Sequence, residues 1–400
     1  MSNKMKIAWL THFTNAEMQS HLPLWKSTNE FAPWIPNLVK GIEGCNDIEL
    51  HVISPHNYLK RQTSFTQDNI HYHFIPYGIP LYHRNWPGIF PYDVYTNFAT
   101  FRNKVKKLVS EIKPDLINLI GAENSYYSAS ILDFKGTYPV LITIQGFISE
   151  HKDIIELTPL QKNRINIEEK ILKEFKYYCG EQDSSRYISS YNPNHRFFRL
   201  YFPVNECLVN AIDSQDKQYD CIFLGRIVKE KGIEDFIKVI AGLKLKKPDI
   251  AACVAGPGDT MPYQKLANDL NCLRNIEFTG FLKTQRDLFE KLKSSKVFLA
   301  PPHKERLSMT IREAMYLKVP IVAYATGGIP YINEFDENIY MVKTGDYKAM
   351  AEKTLTLLND DAARNNLAEK AYHYAISEYS LAVNTERLIA AYKEILEKKD

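Results

Sequence analysis

Short apolar runs alternate with longer amphipathic ones along almost the whole chain, and that rhythm admits few architectures. Strands are predicted at Lys6–Thr11, Ile48–Ser54, Asp115–Ile120, Pro139–Gln145 and Lys176–Gly180. After a break they resume at Asp220–Gly225, Ile250–Gly256, Asn275–Thr279, Lys296–Ala300, Val319–Tyr324 and Ile339–Val342. Between them a helical period marks Asn97–Lys113, Thr158–Glu174, Gly232–Lys247, Met261–Leu270, Ser308–Leu317 and Tyr347–Leu358. Strands alternating with helices build parallel sheets covered on both faces. The near-continuous hydrophobicity of Cys221–Leu224 and Val297–Ala300 suits strands buried on both sides. The expected class is α/β, with doubly wound, Rossmann-like sheets.

A chain of 400 residues exceeds one ordinary core, so two domains are expected. Apolar periodicity lapses over 205–218, just before a new first strand. The division expected is 1–205 as a first Rossmann-like domain, 206–378 as a second, and 379–400 as a helix packing back on the first. Two such sheets facing each other leave a cleft at the carboxyl ends of their strands, where open α/β folds bind ligands.

Composition narrows the partners. A net charge of +3 is too small to imply nucleic acid, and no run approaches the roughly 18 apolar residues of a spanning helix. Met1–Leu10 lacks a signal peptide's longer apolar region. A cytoplasmic location is expected, and the inner face of the membrane is compatible with it. The six cysteines are scattered without a Cys-x-x-Cys pair, which fits a reducing compartment and argues against structural zinc.

The segment from Tyr58 to Phe101 breaks the rhythm. It holds Tyr72, Phe74, Tyr77, Tyr82, Trp86, Phe90, Tyr92, Tyr95 and Phe98, and its prolines exclude long helices. It is too apolar for disorder. Two readings stand side by side: a cluster buried beneath a loop, and an aromatic wall for an acceptor sugar. The basic residues Arg102, Lys104, Lys106, Lys107 and Lys113 that follow suit peripheral contact with an anionic membrane.

Two motifs carry chemistry. The second half opens with a strand ending at Gly225, a loop carrying Arg226 and Lys231, and a helix after Gly232. A planar guanidinium and a compact ammonium at a strand's carboxyl end match a diphosphate. Further on, Glu305 ends a loop and Glu313 lies inside a helix that begins near Ser308. Free amides and the positive end of that helix, around Ser308, Met309 and Thr310, suit phosphate. A carboxylate one to two turns in can accept hydrogen bonds from vicinal hydroxyls. Together these residues read as a nucleotide-sugar site.

The ordered set resembles the GT-B glycosyltransferases of the large retaining family that uses nucleotide-sugar donors, family four or glycosyl transferases group 1. The matching elements are Gly225-Arg226…Lys231-Gly232, Ala255-Gly256-Pro257-Gly258-Asp259, Thr279-Gly280-Phe281-Leu282, Glu305…Glu313-Ala314-Met315, Val319–Ala323, Gly327-Gly328-Ile329-Pro330 and Lys343-Thr344-Gly345-Asp346. They cover about Asp220 to Ser377. The resemblance implies that Arg226 and Lys231 hold the donor diphosphate, that Glu313 binds the ribose and that Glu305 contacts the transferred sugar. The backbone around Ser308, Met309 and Thr310 would approach the phosphates. It implies transfer to a saccharide or lipid-linked saccharide acceptor, with retention, and in the first half Pro114–Asn124 and Asn192-Pro193-Asn194 resemble bacterial surface-polysaccharide transferases.

Some positions depart from the family pattern. Arg306 and Ser308 stand where glycines are common, and Tyr331 replaces a glutamate. In the first half Gln145-Gly146 stands where His-Gly is usual, so an amide or nothing replaces a histidine contact to the sugar. Glu123, ending a strand, is a candidate acceptor or sugar contact, or a cap of the next helix. His12 sits at a strand end facing the expected cleft, and His303 adjoins Glu305; His51, His71 and His73 read as structural. No Asp-x-Asp string is present, so neither a metal nor another cofactor is expected, and Arg226 and Lys231 supply the positive charge. Two rival readings are a nucleotide-sugar epimerase and a non-catalytic, nucleotide-binding partner of a transferase.

Overall fold

Apolar runs of this length satisfy their backbone by pairing side by side, and here they form two sheets. The computed structural model describes residues 4–13, 34–56, 59, 61–77, 92–152, 156–306 and 308–398. The chain divides into two compact units, Met1–Pro203 with Leu381–Asp400, and Val204–Ser380.

The first unit holds β1 (Met5–Leu10), β2 (Ile48–His56), β3 (Thr63–Gln67), β4 (Ile70–Pro76), β5 (Leu116–Ile120), β6 (Val140–Thr143), β7 (Tyr177–Gly180) and β8 (Arg196–Arg199). Their order is β3-β4-β2-β1-β5-β6-β7-β8, with parallel neighbours except for antiparallel β3 and β4. The second unit holds β9 (Tyr219–Leu224), β10 (Ala252–Ala255), β11 (Ile276–Gly280), β12 (Ser295–Ala300), β13 (Ile321–Tyr324) and β14 (Tyr340–Val342). Their order is β11-β10-β9-β12-β13-β14, parallel throughout. In each sheet the winding reverses beside the first strand, between β1 and β5 and between β9 and β12. These are doubly wound, Rossmann-like α/β units.

The aromatic segment is corrected by the structure. Three strands were not read from sequence: β3, β4 and the edge strand β8. In β4 the alternation of His71 and His73 with Tyr72 and Phe74 is a strand's period of two. A hairpin turn joins it to β3, with Asp68 and Asn69 both at positive φ (50° and 64°), as the tight hairpin turns require. Tyr72, Phe74, Tyr77 and Phe98 are buried core, so they form no exposed wall, whereas Tyr95 is exposed. Tyr82, Trp86 and Phe90 lie outside the described residues.

The helix Pro159–Glu174 starts where its sequence directs. Thr158 Oγ1 accepts from Gln161 N at 3.3 Å and Gln161 Oε1 accepts from Thr158 N at 2.8 Å, a reciprocal cap. The final helix, Leu381–Glu397, lies on the first unit. There Tyr392 Oη accepts from Trp9 Nε1 and from Asn118 Nδ2, each at 2.8 Å, and Glu394 pairs with Arg196. The polar stretch 205–218 is built into the second unit. Asn205 caps the short helix Glu206–Asn210, and Glu206 accepts from Tyr316 Oη at 3.0 Å. Cys179, Cys221, Cys253 and Cys272 are buried free thiols. No helix among the described residues is long and apolar enough to cross a membrane.

Candidate functional site

In the second unit β9 and β12 are neighbours from which the chain departs in opposite directions, so a crevice opens beyond their carboxyl ends. After β9, Gly225 N donates to Ala255 O at 3.1 Å, and the loop runs through Arg226 into the turn Lys229–Lys231 and the helix Ile233–Lys244. After β12 the chain continues through Pro301–Arg306 to the helix Met309–Tyr316. A pocket between these segments is lined by Leu224, Lys231, Ala300, Glu305, Ser308 and Thr310, among others.

Lys231 and Glu305 meet in that pocket. Lys231 Nζ donates to Glu305 Oε2 at 2.5 Å, with side-chain exposures of only 23% and 15%. Burial of this degree strengthens a charge pair, and an incoming anion can share the ammonium. Arg306 N donates to Glu305 Oε1 at 3.2 Å. Arg226 is not among the pocket's lining residues: it is exposed, and its guanidinium makes no ion pair or hydrogen bond among the described residues.

The Pro301–Arg306 segment is held from three sides. Gly232, at φ 80°, approaches so closely that a Cβ would sit 1.8 Å from Pro301 O. Gly327, at φ 56°, does the same to Glu305 O at 1.6 Å. Only glycine allows both the left-handed backbone and the contact. Beneath the loop, His303 N donates to Glu230 O and His303 Nε2 lies against Asp235 Oδ2, each at 2.9 Å. Tyr324 Oη and Lys238 Nζ also donate to the Asp235 carboxylate. His303 thus anchors the loop and does not line the pocket.

Ser308 stands at the N-cap of Met309–Tyr316 in extended conformation, its side chain making no capping bond. Ser308 Oγ and Thr310 Oγ1 lie 2.6 Å apart. Met309, half-buried, places its sulfur 3.5 Å from Arg312 Nη1. The first amides of this helix have no intrahelical acceptor, so its start is rich in donors and electropositive. One turn on, Glu313 is buried and does not line the pocket; Gln285 Nε2 donates to its Oε1 at 3.0 Å. Burial pushes its carboxyl up to about 7, opposed by the Gln285 hydrogen bond and the Arg312 charge.

In the first unit, His12, Glu123 and Gln145-Gly146 follow the adjacent strands β1, β5 and β6. Glu123 and Gln145 are brought together: a Cβ on Gly121 would meet Tyr127 Oη, Gln145 Nε2 and Glu123 Oε1 within 3.0 Å. Gln145 Oε1 accepts from Trp34 Nε1 at 2.9 Å. Glu123 Oε1 accepts from Asn124 Nδ2, while Oε2 is buried with no hydrogen-bond partner among the described residues. Burial pushes this carboxyl up to about 7 as well. His12 Nδ1 lies 3.3 Å from Tyr126 Oη, and nothing crowds Gly146.

Glu168 was missed from the sequence. It is buried in the helix Pro159–Glu174 and accepts from Ile148 N at 2.9 Å, Ser149 N at 2.8 Å and Ser149 Oγ. It therefore fixes the segment that follows Gln145-Gly146. A polar residue on a helical face gives no local sign of the loop it serves.

Two doubly wound units with switch-point crevices define the GT-B class of fold. Two solved structures share it. Sucrose-phosphate synthase of Thermosynechococcus elongatus superposes with a TM-score of 0.73 at 14% identity, covering 98% of this chain and all of that one. HepE of Anabaena, solved in complex with UDP, gives 0.68 at 14% identity over the same shares. Residues 207–374 match the family model of glycosyl transferases group 1. Two of the similar proteins are 27% identical to part of this chain. The alpha-D-kanosaminyltransferase of Streptomyces kanamyceticus aligns over 175 residues, 44% of this chain and 45% of that protein. A capsular polysaccharide biosynthesis glycosyltransferase of Staphylococcus aureus aligns over 179 residues, 44% and 47%. The aligned part of the chain spans about half the length of these curated relatives.

Proposed function

We propose that this protein transfers a sugar from a nucleoside-diphosphate sugar to a hydroxyl of a saccharide or lipid-linked saccharide acceptor, with retention, in the synthesis of a bacterial surface polysaccharide. The observation that carries the reading is the meeting of Lys231 and Glu305 at the switch point, beside the amide-rich start of Met309–Tyr316. Lys231, with Arg226 from the same loop, neutralises the departing diphosphate as the bond from the anomeric carbon to its oxygen breaks. Charge placed in advance at a leaving group is the largest single source of such rate enhancement. Glu305 bonds the sugar and Glu313 the ribose. The acceptor oxygen attacks from the face the phosphate leaves, and a phosphate oxygen takes its proton. Peripheral contact of the basic helix Ala99–Ile112 with an anionic membrane would bring a lipid-linked acceptor near. The printed name of the capsular relative and the UDP bound to HepE support the reading, each as a property of those proteins.

The test is incubation of purified protein with a panel of UDP- and GDP-sugars and envelope saccharides, followed by NMR of the product. A transferred sugar with the donor's anomeric configuration is expected. An inverted anomer would overturn the retaining step. An epimer formed from donor alone would point to an epimerase, and the absence of any donor turnover to a binding protein.

A further inference from the structure

Two strands of the first unit collect Glu49, His51, His71 and His73 on one sheet face. His51 on β2 and His71 on β4 are direct register partners, and Glu49, two residues before His51, shares its face. The His51 and His71 rings stack with centroids 4.6 Å apart. Donor atoms of Glu49, His51 and His71 all lie within 4.8 Å of one another, and His51 Nε2 is 2.9 Å from Glu49 Oε1. His51 is buried, whereas Glu49 and His71 are half-buried and open to solvent.

The other ring nitrogens are engaged from behind. His51 Nδ1 lies 3.0 Å from His73 Nε2, and His73 Nδ1 lies 3.0 Å from Ser64 Oγ. His71 Nδ1 lies 2.9 Å from Thr66 Oγ1, and its Nε2 has no partner among the described residues. In a metal-bound state the proton of each ring would sit on Nδ1, leaving Nε2 of His51 and of His71 to ligate, whereas the 2.9 Å contact with Glu49 in the metal-free state needs a proton on His51 Nε2. Ligating histidines are held in this way, the far nitrogen donating to an outer partner that fixes ring and tautomer.

We propose that Glu49, His51 and His71 form a binding site for a divalent transition-metal ion of the zinc type, oriented by His73, Ser64 and Thr66. Two imidazoles and one carboxylate, with a fourth position left to water, suit zinc, whereas magnesium and calcium favour all-oxygen sets. Ligands about 2.1 Å from a tetrahedral ion stand about 3.4 Å apart, so side-chain rotation alone closes the set. Lys6 Nζ, 3.4 Å from Glu49 Oε1, holds the carboxylate in the metal-free state and competes with the ion. The cluster sits near the amino ends of β2 and β4, at the opposite end of the strands from His12, Glu123 and Gln145. The ion's role is therefore structural or regulatory for this unit and is separate from the sugar-transfer reading.

The experiment is titration of the chelator-stripped full chain with zinc against a competing chromophoric chelator. One ion per chain is expected, with a rise in melting temperature. His71→Ala should lose the ion and the rise while keeping the parent's metal-free circular dichroism. His73→Ala should keep one ion but bind it roughly 10- to 100-fold more weakly. Cobalt loading should give the visible bands of a four-coordinate ion in the parent and none in His71→Ala. No uptake by the parent, or uptake unchanged in His51→Ala and His71→Ala, overturns the proposal.

Discussion

Lys231 Nζ lies 2.5 Å from Glu305 Oε2, although 74 residues separate them in the chain. The pair joins the loop after β9 to the loop after β12 and sets one cation and one carboxylate in the same pocket. If that cation serves the leaving diphosphate, Lys231→Ala should lower turnover by about two to three orders of magnitude, and Arg226→Ala similarly. Circular dichroism should show both variants folded. Near-normal turnover in both would remove the assigned role.

Glu313 offers a second measurement. Its loss as Glu313→Ala should weaken nucleotide binding by roughly 1.5–3 kcal/mol, the range for hydrogen bonds to charged groups. Calorimetry with UDP and GDP reads this directly, and unchanged affinity would place the ribose elsewhere.

The same residue makes stability depend on pH. Its carboxyl titrates near 7 in the folded protein against an ordinary 4.5. Between those values the folded state keeps a proton that the unfolded chain has lost, so this group's contribution falls as pH rises through the window. Glu313→Gln should therefore gain stability over the parent as pH rises from about 4.5 to above 7, and level off beyond. Urea unfolding at pH 5 and pH 8 checks it; a constant difference would mean the buried carboxyl is ionised throughout.

Gly327→Ala tests the brace on the pocket loop. Its Cβ would meet Glu305 O at 1.6 Å, whereas a Cβ added to Gly345, also at positive φ, would have nothing within 4 Å. Both substitutions incur about 1–2 kcal/mol for a left-handed backbone. Only Gly327→Ala should move Glu305, lowering kcat at least tenfold, and equal kinetics in the two variants would contradict the brace.

Tyr392→Phe removes the shared acceptor of Trp9 Nε1 and Asn118 Nδ2. Leaving a buried donor unpaired costs about 1–3 kcal/mol. Denaturant unfolding should show at least that loss, and a neutral effect would mean the final helix is held by apolar packing alone.

The sequence by itself determined the elements whose signals are local. Runs such as Cys221–Leu224 and Val297–Ala300 announced buried strands, and a helical period marked Thr158–Glu174. The Gly225-Arg226…Lys231 string and the spacing of Glu305 and Glu313 pointed to one site. Tertiary structure decided what depends on strand order and register, which no local period encodes. It paired Lys231 with Glu305 but left Arg226 outside the pocket, and of the two readings of Tyr72 and Phe74 it chose the buried cluster over the wall. It set Glu168 beneath the Gln145 loop, and it gathered three histidines that look unrelated along the chain. Contacts of that kind arise only when parallel strands bring residues tens of positions apart within a few ångströms, because pairing fixes which faces meet.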